Sequence, residues 1–167
     1  LDHIGFGVVC GDDGKRFKTR SSETVRLIDL LDEAKVRMTN SMNERVKEGK
    51  SDFTSEDIEN ASGKIGYGAV KYFDLKQNPQ TNYIFNYDRM LDTKGDTAVY
   101  LLFAYARVAS ILRKAQSDKG KNLDDLYTRA ASLIMFTHPA ERALAFEVMQ
   151  IGDTIRRVLK DLLPNVL

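Results

Sequence analysis

The stretch GDDGKRFKTRSSETVRLIDLLDEA, residues 11–34, joins a cationic loop to the start of a long helix. Four of the six residues at 15–20 are basic, namely Lys15, Arg16, Lys18 and Arg20. The Asp-Gly pair at 13–14 favours a tight turn, and apolar residues at helical spacing follow from Leu27. A cationic loop on a tight turn, anchored by a helix, suits the binding of polyphosphate. A solvated surface turn is the alternative that these residues alone leave open.

The residues on either side of the loop predict a strand before it and a helix after it. Residues 3–10 alternate glycine with Ile4, Phe6 and Val8, which predicts a strand. The turn at 11–14 would fold this strand into a β-hairpin with residues 16–18. The following helix is predicted to begin at Thr24 or Leu27 and to end before Gly49, with one apolar stripe: Leu27, Leu30, Leu31, Ala34, Met38 and Met42.

Further helices are predicted along the rest of the chain. Thr54 and Asp57 resemble a capping box for a second helix, whose stripe would be Ile58, Ala61, Ile65, Ala69 and Tyr72. Its three glycines, Gly63, Gly66 and Gly68, indicate close approach of another backbone. A helix beginning after Thr97 would run to about Ala115, with five residues facing inward: Val99, Leu102, Phe103, Ala106 and Ile111.

The C-terminal part of the chain has the same helical character. Asn122 and Asp125 suggest the cap of a helix with the stripe Leu126, Ala130, Leu133 and Ile134. Pro139 suits the first turn of another helix, and His138 before it would mark that helix's start. A last helix is predicted over residues 154–163, divided from the preceding one by Gly152 and Asp153. The sequence therefore predicts a mainly α chain, with a helical bundle after a short N-terminal β-hairpin.

Composition narrows the classes of protein to consider. The 25 basic and 24 acidic residues leave a net charge of +1, so contact with nucleic acid would depend on local patches. One cysteine, Cys10, excludes an internal disulfide and a multi-cysteine zinc site, and no metal site is predicted. No run of about 18 apolar residues predicts a membrane span. The single cysteine also fits reduced, intracellular chemistry. The chain starts at Leu1, without methionine, and ends at an apolar Leu167, so we expect a piece of a larger protein.

The residues of the cationic loop resemble the ATP-loop region of arginyl-tRNA synthetases, which are class I enzymes. The family often has a degenerate form of the KMSKS motif, close to FKTR[SA]G, followed by TV[RK]L and LLDEA. Here FKTRS spans residues 17–21, TVRL spans 24–27 and LLDEA spans 30–34. Ser22 stands where the family usually has glycine, and Thr19 aligns with the second lysine of KMSKS. The HIGH motif of class I enzymes is absent from the chain.

The resemblance continues in order along nearly the whole chain. HIGFG at 3–7 is similar to the family's strand before the loop, and GYGAVKY at 66–72 to its GxGA[VI]xYxDL stretch. NYIF at 82–85 and DRML at 88–91 resemble the junction with the anticodon-binding bundle. GDTAVY at 95–100 and YAR at 105–107 resemble the bundle's first helix, and HPAE at 138–141 a later one.

The resemblance implies an arginine–tRNA ligase that activates arginine with ATP, accompanied by Mg²⁺, and transfers it to tRNA(Arg) in the cytoplasm. Lys18 and Arg20 would carry the catalytic charge. The nucleotide would be bound by a larger set whose individual phosphate contacts stay open: His3, Lys15, Arg16, Lys18, Arg20 and Ser21. For His3, a structural role in the strand is the alternative.

The helix after Thr97 suggests an RNA contact. Tyr100, Arg107 and Lys114 are spaced by seven residues, so they share one face, where cations and an aromatic ring could contact tRNA. A solvated helix edge with a half-buried tyrosine is the alternative.

The resemblance also predicts a division of the chain. Residues 1–52 would end a catalytic Rossmann-like domain, 53–92 would form a connecting region, and 93–167 would be a truncated anticodon-binding domain. This chain alone is expected to be inactive. The alternatives are a non-catalytic tRNA-binding or assembly module derived from a synthetase, and a generic helical interaction domain.

Overall fold

The computed structural model describes residues 3–16, 26–120, 122, 124–125, 128 and 134–167. Within these ranges the elements are mostly helices: β1 (Val9–Cys10), α1 (Leu27–Lys47), α2 (Ser55–Leu75), β2 (Tyr83–Ile84), α3 (Tyr87–Met90), α4 (Ala98–Lys119), α5 (Pro139–Met149), α6 (Ile151–Asp161) and a 3₁₀ turn (Pro164–Val166). The prediction of a mainly α chain is confirmed. The chain forms two compact units, one comprising Leu1–Leu102 and Leu163–Asn165, the other Phe103–Leu162 and Val166–Leu167.

The core of the first unit lies between α1 and α2. Ala34, Met38 and Met42 are buried on α1, and Leu30 and Leu31 pack against the core as partly buried residues. The predicted stripe of α1 is therefore confirmed, except that Leu27 in the first turn is 67% exposed. Gly49 follows the helix with φ of +68°, so it ends α1 as predicted.

The buried face of α2 differs from the prediction. Ile58 and Ala69 are buried as expected, whereas Ala61, Ile65 and Tyr72 are only partly buried. The remaining buried positions are Ser62, Gly66, Val70 and Phe73. The prediction followed residue hydrophobicity, but the closest approach of α1 requires small residues, and Ser62 and Gly66 supply them.

Gly66 is the glycine that this close approach requires. A Cβ atom added there would lie 2.9 Å from the backbone carbon and oxygen of Ala34. The same atom at Gly63 would meet only the side chain of Lys35 at 3.8 Å, and at Gly68 it would meet nothing within 4 Å. The predicted reason for the three glycines is confirmed at Gly66 and wrong at the other two.

The N-terminal strand pairs differently from the prediction. β1 pairs in parallel with β2, with Val9 opposite Tyr83 and Cys10 opposite Ile84. The expected hairpin is represented by a single antiparallel bridge between Cys10 and Arg16, and the rest of its return strand lies outside the described residues. The sequence distance between the two parallel strands hid this pairing, because only the tight turn was visible locally.

The second unit buries its apolar residues much less. Three residues predicted to face inward from α4 are exposed, namely Leu102 (43%), Phe103 (58%) and Ile111 (61%), and Ala106 is exposed as well. Throughout α5 and α6, both of which lie in the described part of the chain, no residue is buried. The inward assignment is wrong at these four positions, of which Leu102 is the last α4 residue of the first unit, whereas Val99 is partly buried and packs against the core of that unit. Amphipathic spacing identifies an apolar face without supplying a partner for it.

In this unit, capping residues predicted the start of a helix better than apolar spacing predicted burial. His138 caps α5 through Nδ1, which accepts the Ala140 N–H at 3.1 Å, and Pro139 is the first helical residue, as predicted. The division before the last helix falls at Gln150 instead, and Gly152 lies inside α6. The predicted stripe after Asn122 lies mostly outside the described residues, and its described member Ile134 is 57% exposed.

Candidate functional site

The strand that leads into the cationic loop is held by the chain around β2. Tyr83 donates its N–H to the Val8 carbonyl at 3.2 Å, and Phe85 donates to the Cys10 carbonyl at 2.9 Å. The Val8 N–H donates to Asn82 Oδ1 at 2.8 Å, so the ladder continues through a side chain beyond the strand. These bonds fix the backbone up to the first residue of the turn.

Gly7 permits the closest contact of this strand. Its N–H donates to the Pro79 carbonyl at 2.7 Å. A Cβ atom on Gly7 would lie 1.9 Å from the Thr81 carbonyl oxygen, so no other residue fits there without moving the backbone. Gly5 meets nothing within 4 Å. The GFG pattern therefore contains one glycine that the pairing requires and one that it does not.

The turn itself is closed by backbone hydrogen bonds. Gly11 donates its N–H to the Lys15 carbonyl at 3.0 Å, and Gly14, with φ of +71°, donates to the Gly11 carbonyl at 2.9 Å. Asp13 Oδ1 accepts the Lys15 N–H at 3.0 Å. The predicted tight turn is confirmed. Its hydrogen bonds fix the backbone at Lys15, where the cationic residues begin.

The described cations of the loop face solvent. The Lys15 side chain is 80% exposed, and its Nζ lies 3.9 Å from Asp13 Oδ2, a long ion pair worth little at the surface. Arg16 and His3 are also exposed. Lys18, Arg20 and Ser21, the other predicted nucleotide-binding residues, lie outside the described residues. Lys15 and Arg16 are thus available to an external anion.

The helix that follows the loop begins with a charged cap. The Asp29 carboxylate accepts the Arg26 N–H at 3.2 Å and two guanidinium hydrogen bonds, from Nε at 2.9 Å and Nη2 at 2.7 Å. These bonds to Arg26 hold the pKa of Asp29 below its usual value, and the bond to Asp29 raises the pKa of Arg26. Arg26 is thereby engaged by α1 itself.

Residues 82–88 contact both chain segments that flank the loop. Asn86 Nδ2 donates to Asp12 Oδ1 at 3.2 Å on one side. On the other, the Tyr87 hydroxyl donates to the Leu30 carbonyl at 3.3 Å, and the Arg37 guanidinium lies 4.6 Å from the centre of the Tyr87 ring. Phe85 of this segment is a buried core residue, whereas Asn86 is a contact that sequence reasoning missed. Its signal was an Asn just before a short helical turn.

A second polar cluster lies where α4 begins. The Asp96 carboxylate accepts the Tyr72 hydroxyl, and Lys76 Nζ donates to the Asp96 carbonyl. Partial burial, followed by the hydrogen bond to Asp96, raises the pKa of Tyr72, which keeps the hydroxyl protonated as a donor. Thr97 Oγ1 then accepts the Tyr100 N–H at 3.1 Å, which confirms the predicted cap of α4.

The three predicted tRNA-contacting residues lie on α4. Tyr100 is 45% exposed, and Arg107 and Lys114 are exposed. All three belong to one helix, Ala98–Lys119, so their spacing of seven residues advances each by about 20° around the axis. The three residues therefore share one face of α4, and contact of that face with tRNA stays a prediction.

Two kinds of feature are missing from the part of the chain that the structure describes. Among those residues, no cluster of three or more His, Cys, Asp or Glu side chains could hold a metal ion. None of the helices formed by those residues is both long and apolar enough to cross a membrane.

Family models match the two parts of the chain in order. The model described as tRNA synthetases class I (R), catalytic domain, matches residues 1–87. The model of the DALR anticodon binding domain matches residues 101–167. The first match alone covers more than half of the chain.

Individual relatives agree with these matches. The chain is 48% identical over 167 residues to the cytoplasmic arginine–tRNA ligase of Arabidopsis thaliana, covering 100% of this chain and 27% of the relative. It is 46% identical over 167 residues to the chloroplastic/mitochondrial enzyme of the same plant, covering 100% and 25%. It is 47% identical over 165 residues to the arginine–tRNA ligase of a Nostoc species, covering 99% and 27%. The chain thus spans about a quarter of the length of these relatives.

Solved structures with similar folds come from the same group. The arginyl-tRNA synthetase of Plasmodium falciparum superimposes with a TM-score of 0.74 at 30% identity, over 98% of this chain and 25% of that one. The arginyl-tRNA synthetase of Thermus thermophilus gives a TM-score of 0.68 at 28% identity, over 96% and 23%.

Proposed function

The chain belongs to the class I arginyl-tRNA synthetase family, and we propose that it supplies the phosphate-binding loop and part of the tRNA-binding helical domain of an arginine–tRNA ligase. The observation that carries this proposal is the order of the two family matches, catalytic domain first and anticodon-binding domain second. The proposal is for the full-length gene product, since this chain spans about a quarter of its relatives.

The proposed activity proceeds through activation of arginine. A carboxylate oxygen of arginine attacks the α-phosphorus of ATP, the bond to the bridging oxygen breaks, and pyrophosphate leaves with the negative charge. Cations placed beside the β- and γ-phosphates stabilise that charge more in the transition state than in bound ATP. Lys18 and Arg20 are proposed for this role, with the exposed Lys15 and Arg16 as alternates. Mg²⁺ would accompany the ATP substrate.

The other ligands are assigned to the remaining proposed sites. The Ser21 hydroxyl would donate a hydrogen bond to a phosphate oxygen, and the exposed His3 would lie beside the nucleotide. Tyr100, Arg107 and Lys114 would contact tRNA(Arg), the two cations at phosphates and the ring against a base.

Substitution Arg107→Ala should then weaken tRNA binding and flatten its salt dependence, because one phosphate contact is lost. An unchanged salt slope would assign this face to solvent.

The division of labour along the chain is part of the proposal. Residues 1–52 would complete the catalytic domain, residues 53–92 would connect it to the helical domain, and residues 93–167 would begin that domain. Gly49 and Gly95, both with positive φ, lie in turns next to these proposed boundaries. The cytoplasm is proposed as the site of action; imaging of a tagged full-length protein in organelles alone would contradict it.

The deciding experiment is arginine-dependent exchange of pyrophosphate into ATP by the full-length gene product, with cognate tRNA present. Exchange with arginine, and none with lysine or glutamine, would support the proposal. A folded protein that exchanges pyrophosphate with no amino acid but still binds tRNA would instead be a non-catalytic tRNA-binding or assembly module.

The loop residues are tested in the same assay. Lys18→Ala and Arg20→Ala should each lower the exchange rate by about 10²-fold, the effect of losing one transition-state contact. Lys64→Ala is the matched control, because Lys64 is an exposed lysine on α2, outside the loop. Unchanged rates in both variants would contradict the roles of Lys18 and Arg20. Unchanged rates in Lys15→Ala and Arg16→Ala as well would remove the loop from the mechanism.

A further inference from the structure

One short segment of the first unit holds the chain on both sides of the cationic loop. We call residues 82–88 the support segment. On the side that leads into the loop, its backbone pairs with Val8 and Cys10, and its Asn86 reaches the turn at Asp12. On the side that leaves the loop, Tyr87 and Asp88 contact α1 through Leu30 and Arg37. The loop therefore starts and ends on a common support.

The contacts to α1 are reinforced by charge. Arg37 Nη1 lies 3.3 Å from Asp88 Oδ1, and Arg37 Nε donates to Glu33 Oε1 at 2.7 Å. Three contacts join the support segment to α1: the Arg37–Asp88 ion pair, the Tyr87 hydroxyl bond to Leu30, and the Arg37 guanidinium over the Tyr87 ring. Two of them share Arg37, but loss of any one of these side chains leaves at least one contact in place.

The contact to the turn is different, because it depends on a single side chain. Asn86 is partly buried, and both ends of its amide are used. Oδ1 accepts the Arg89 N–H at 3.0 Å and so caps α3, while Nδ2 donates to Asp12 Oδ1 at 3.2 Å. The cap fixes the orientation of the amide, and the orientation aims the NH₂ group at Asp12.

We propose that Asn86 is a positioning residue for the phosphate-binding loop: through Asp12 it holds the turn that carries Lys15 and Arg16. This inference rests on the proposed function. Asp12 is three residues from Lys15, and the side chains of Lys15 and Arg16 are exposed, so their placement depends on the backbone of the turn, which Asn86 contacts through Asp12. Asn86 touches no substrate and acts through the loop alone.

The substitution that separates positioning from folding is Asn86→Asp. The new carboxylate still accepts the Arg89 N–H and still caps α3, but it replaces the donor facing Asp12 with a like charge. We expect kcat of arginine-dependent pyrophosphate exchange to fall about 10-fold, since small misplacements of catalytic groups reduce rates this strongly. The KM for arginine and the midpoint of thermal unfolding should stay at the parent values.

A reversed pair supplies the rescue. In Asp12→Asn/Asn86→Asp, the new amide at position 12 donates to the new carboxylate at position 86, so the hydrogen bond returns with its direction exchanged. Exchange activity should return to within about twofold of the parent, because the geometry and the net charge are both restored. The matched control is Asp13→Asn/Asn86→Asp, which restores net charge but not the bond, and it should remain slow.

Each outcome decides between the two proposals. If the parent exchanges pyrophosphate and Asn86→Asp is equally fast, the positioning role is wrong while the proposed function stands. Rescue by both double variants would also overturn it, because charge alone would then explain the loss. If the folded parent has no exchange activity, the proposed function fails, and the positioning role that rests on it is overturned with it.

Discussion

The α1–α2 pair and the α5–α6 pair both carry apolar residues at helical spacing and end in opposite states of burial. On α1, the side chains of Ala34, Met38 and Met42 are buried, and α2 buries a stripe of residues along its length. On α5 and α6, Leu144, Phe146, Met149 and Leu159 are between 62% and 82% exposed. The difference shows that helical periodicity specifies which face can be buried, whereas burial itself needs a facing surface, which α1 and α2 offer each other where Ala34 meets Gly66.

Two methionines provide the strongest test of this comparison. Met90, at the end of α3, is 1% exposed, and Met149, at the end of α5, is 82% exposed. Met90→Ala should lower the free energy of unfolding by about 2–5 kcal/mol, through lost burial and the cavity left behind. Met149→Ala should change it by less than about 0.5 kcal/mol. Urea denaturation of the chain, followed by circular dichroism, measures both.

The paired result can break the comparison in either direction. A loss above about 1 kcal/mol at Met149, beyond the usual range for surface positions, would mean that this face is covered in solution. Equal small losses at both positions would mean that the first unit is less well packed than its burial indicates.

Two glycines of α2 sharpen the same comparison within one helix. Gly66→Ala should lower the free energy of unfolding by about 1–3 kcal/mol, because a Cβ atom would overlap the α1 backbone, which cannot rotate away. Gly68→Ala, the matched control two residues later, has open space and should raise it by about 0.5–1 kcal/mol through higher helix propensity. Thermal and urea unfolding give both values, and a stabilising Gly66→Ala would exclude the tight α1–α2 contact.

The fold could be predicted from the sequence wherever a local rule decides it. The caps at Thr54, Thr97 and His138 and the end of α1 at Gly49 depend on a few neighbouring residues, so their residue types were sufficient. The parallel β1–β2 pairing joins residues more than 70 positions apart, and no local pattern encodes it. The burial of Ser62 depends on the distance to α1, which hydrophobicity does not report.

The candidate site could be predicted to a similar depth. The cationic residues and the tight turn are visible in the sequence because their chemistry is contiguous. The support segment is not, since Asn86 reaches Asp12 across 74 positions. Its role requires the β1–β2 pairing, which brings the two residues together. The charged residues of the loop are therefore visible in a short stretch of sequence, whereas the contacts that support the loop depend on the tertiary structure.

The smallest effects are expected at two helix caps, one in the α1–α2 pair and one in the α5–α6 pair. Asp57 caps α2, where hydrogen bonds from the hydroxyl and N–H of Thr54 lower its pKa below the ordinary 3.8. Glu141 caps α5, where the N–H groups of His138 and Thr137 lower its pKa below the ordinary 4.5. Because both pKa values are depressed on folding, the carboxylates stabilise their helices above the ordinary values, and this is lost as pH falls through the depressed values.

The substitutions Asp57→Asn and Glu141→Gln should therefore act at neutral pH, and their effects should shrink as pH falls below the ordinary pKa values and through the depressed ones. Their readouts should differ, because α2 is packed and α5 is not. Asp57→Asn should shift the midpoint of global unfolding, whereas Glu141→Gln should mainly increase amide hydrogen exchange in the first turn of α5. An equal shift of the global midpoint in both variants would mean that α5 unfolds together with the packed unit, and that exposure of its apolar face does not make it locally unstable.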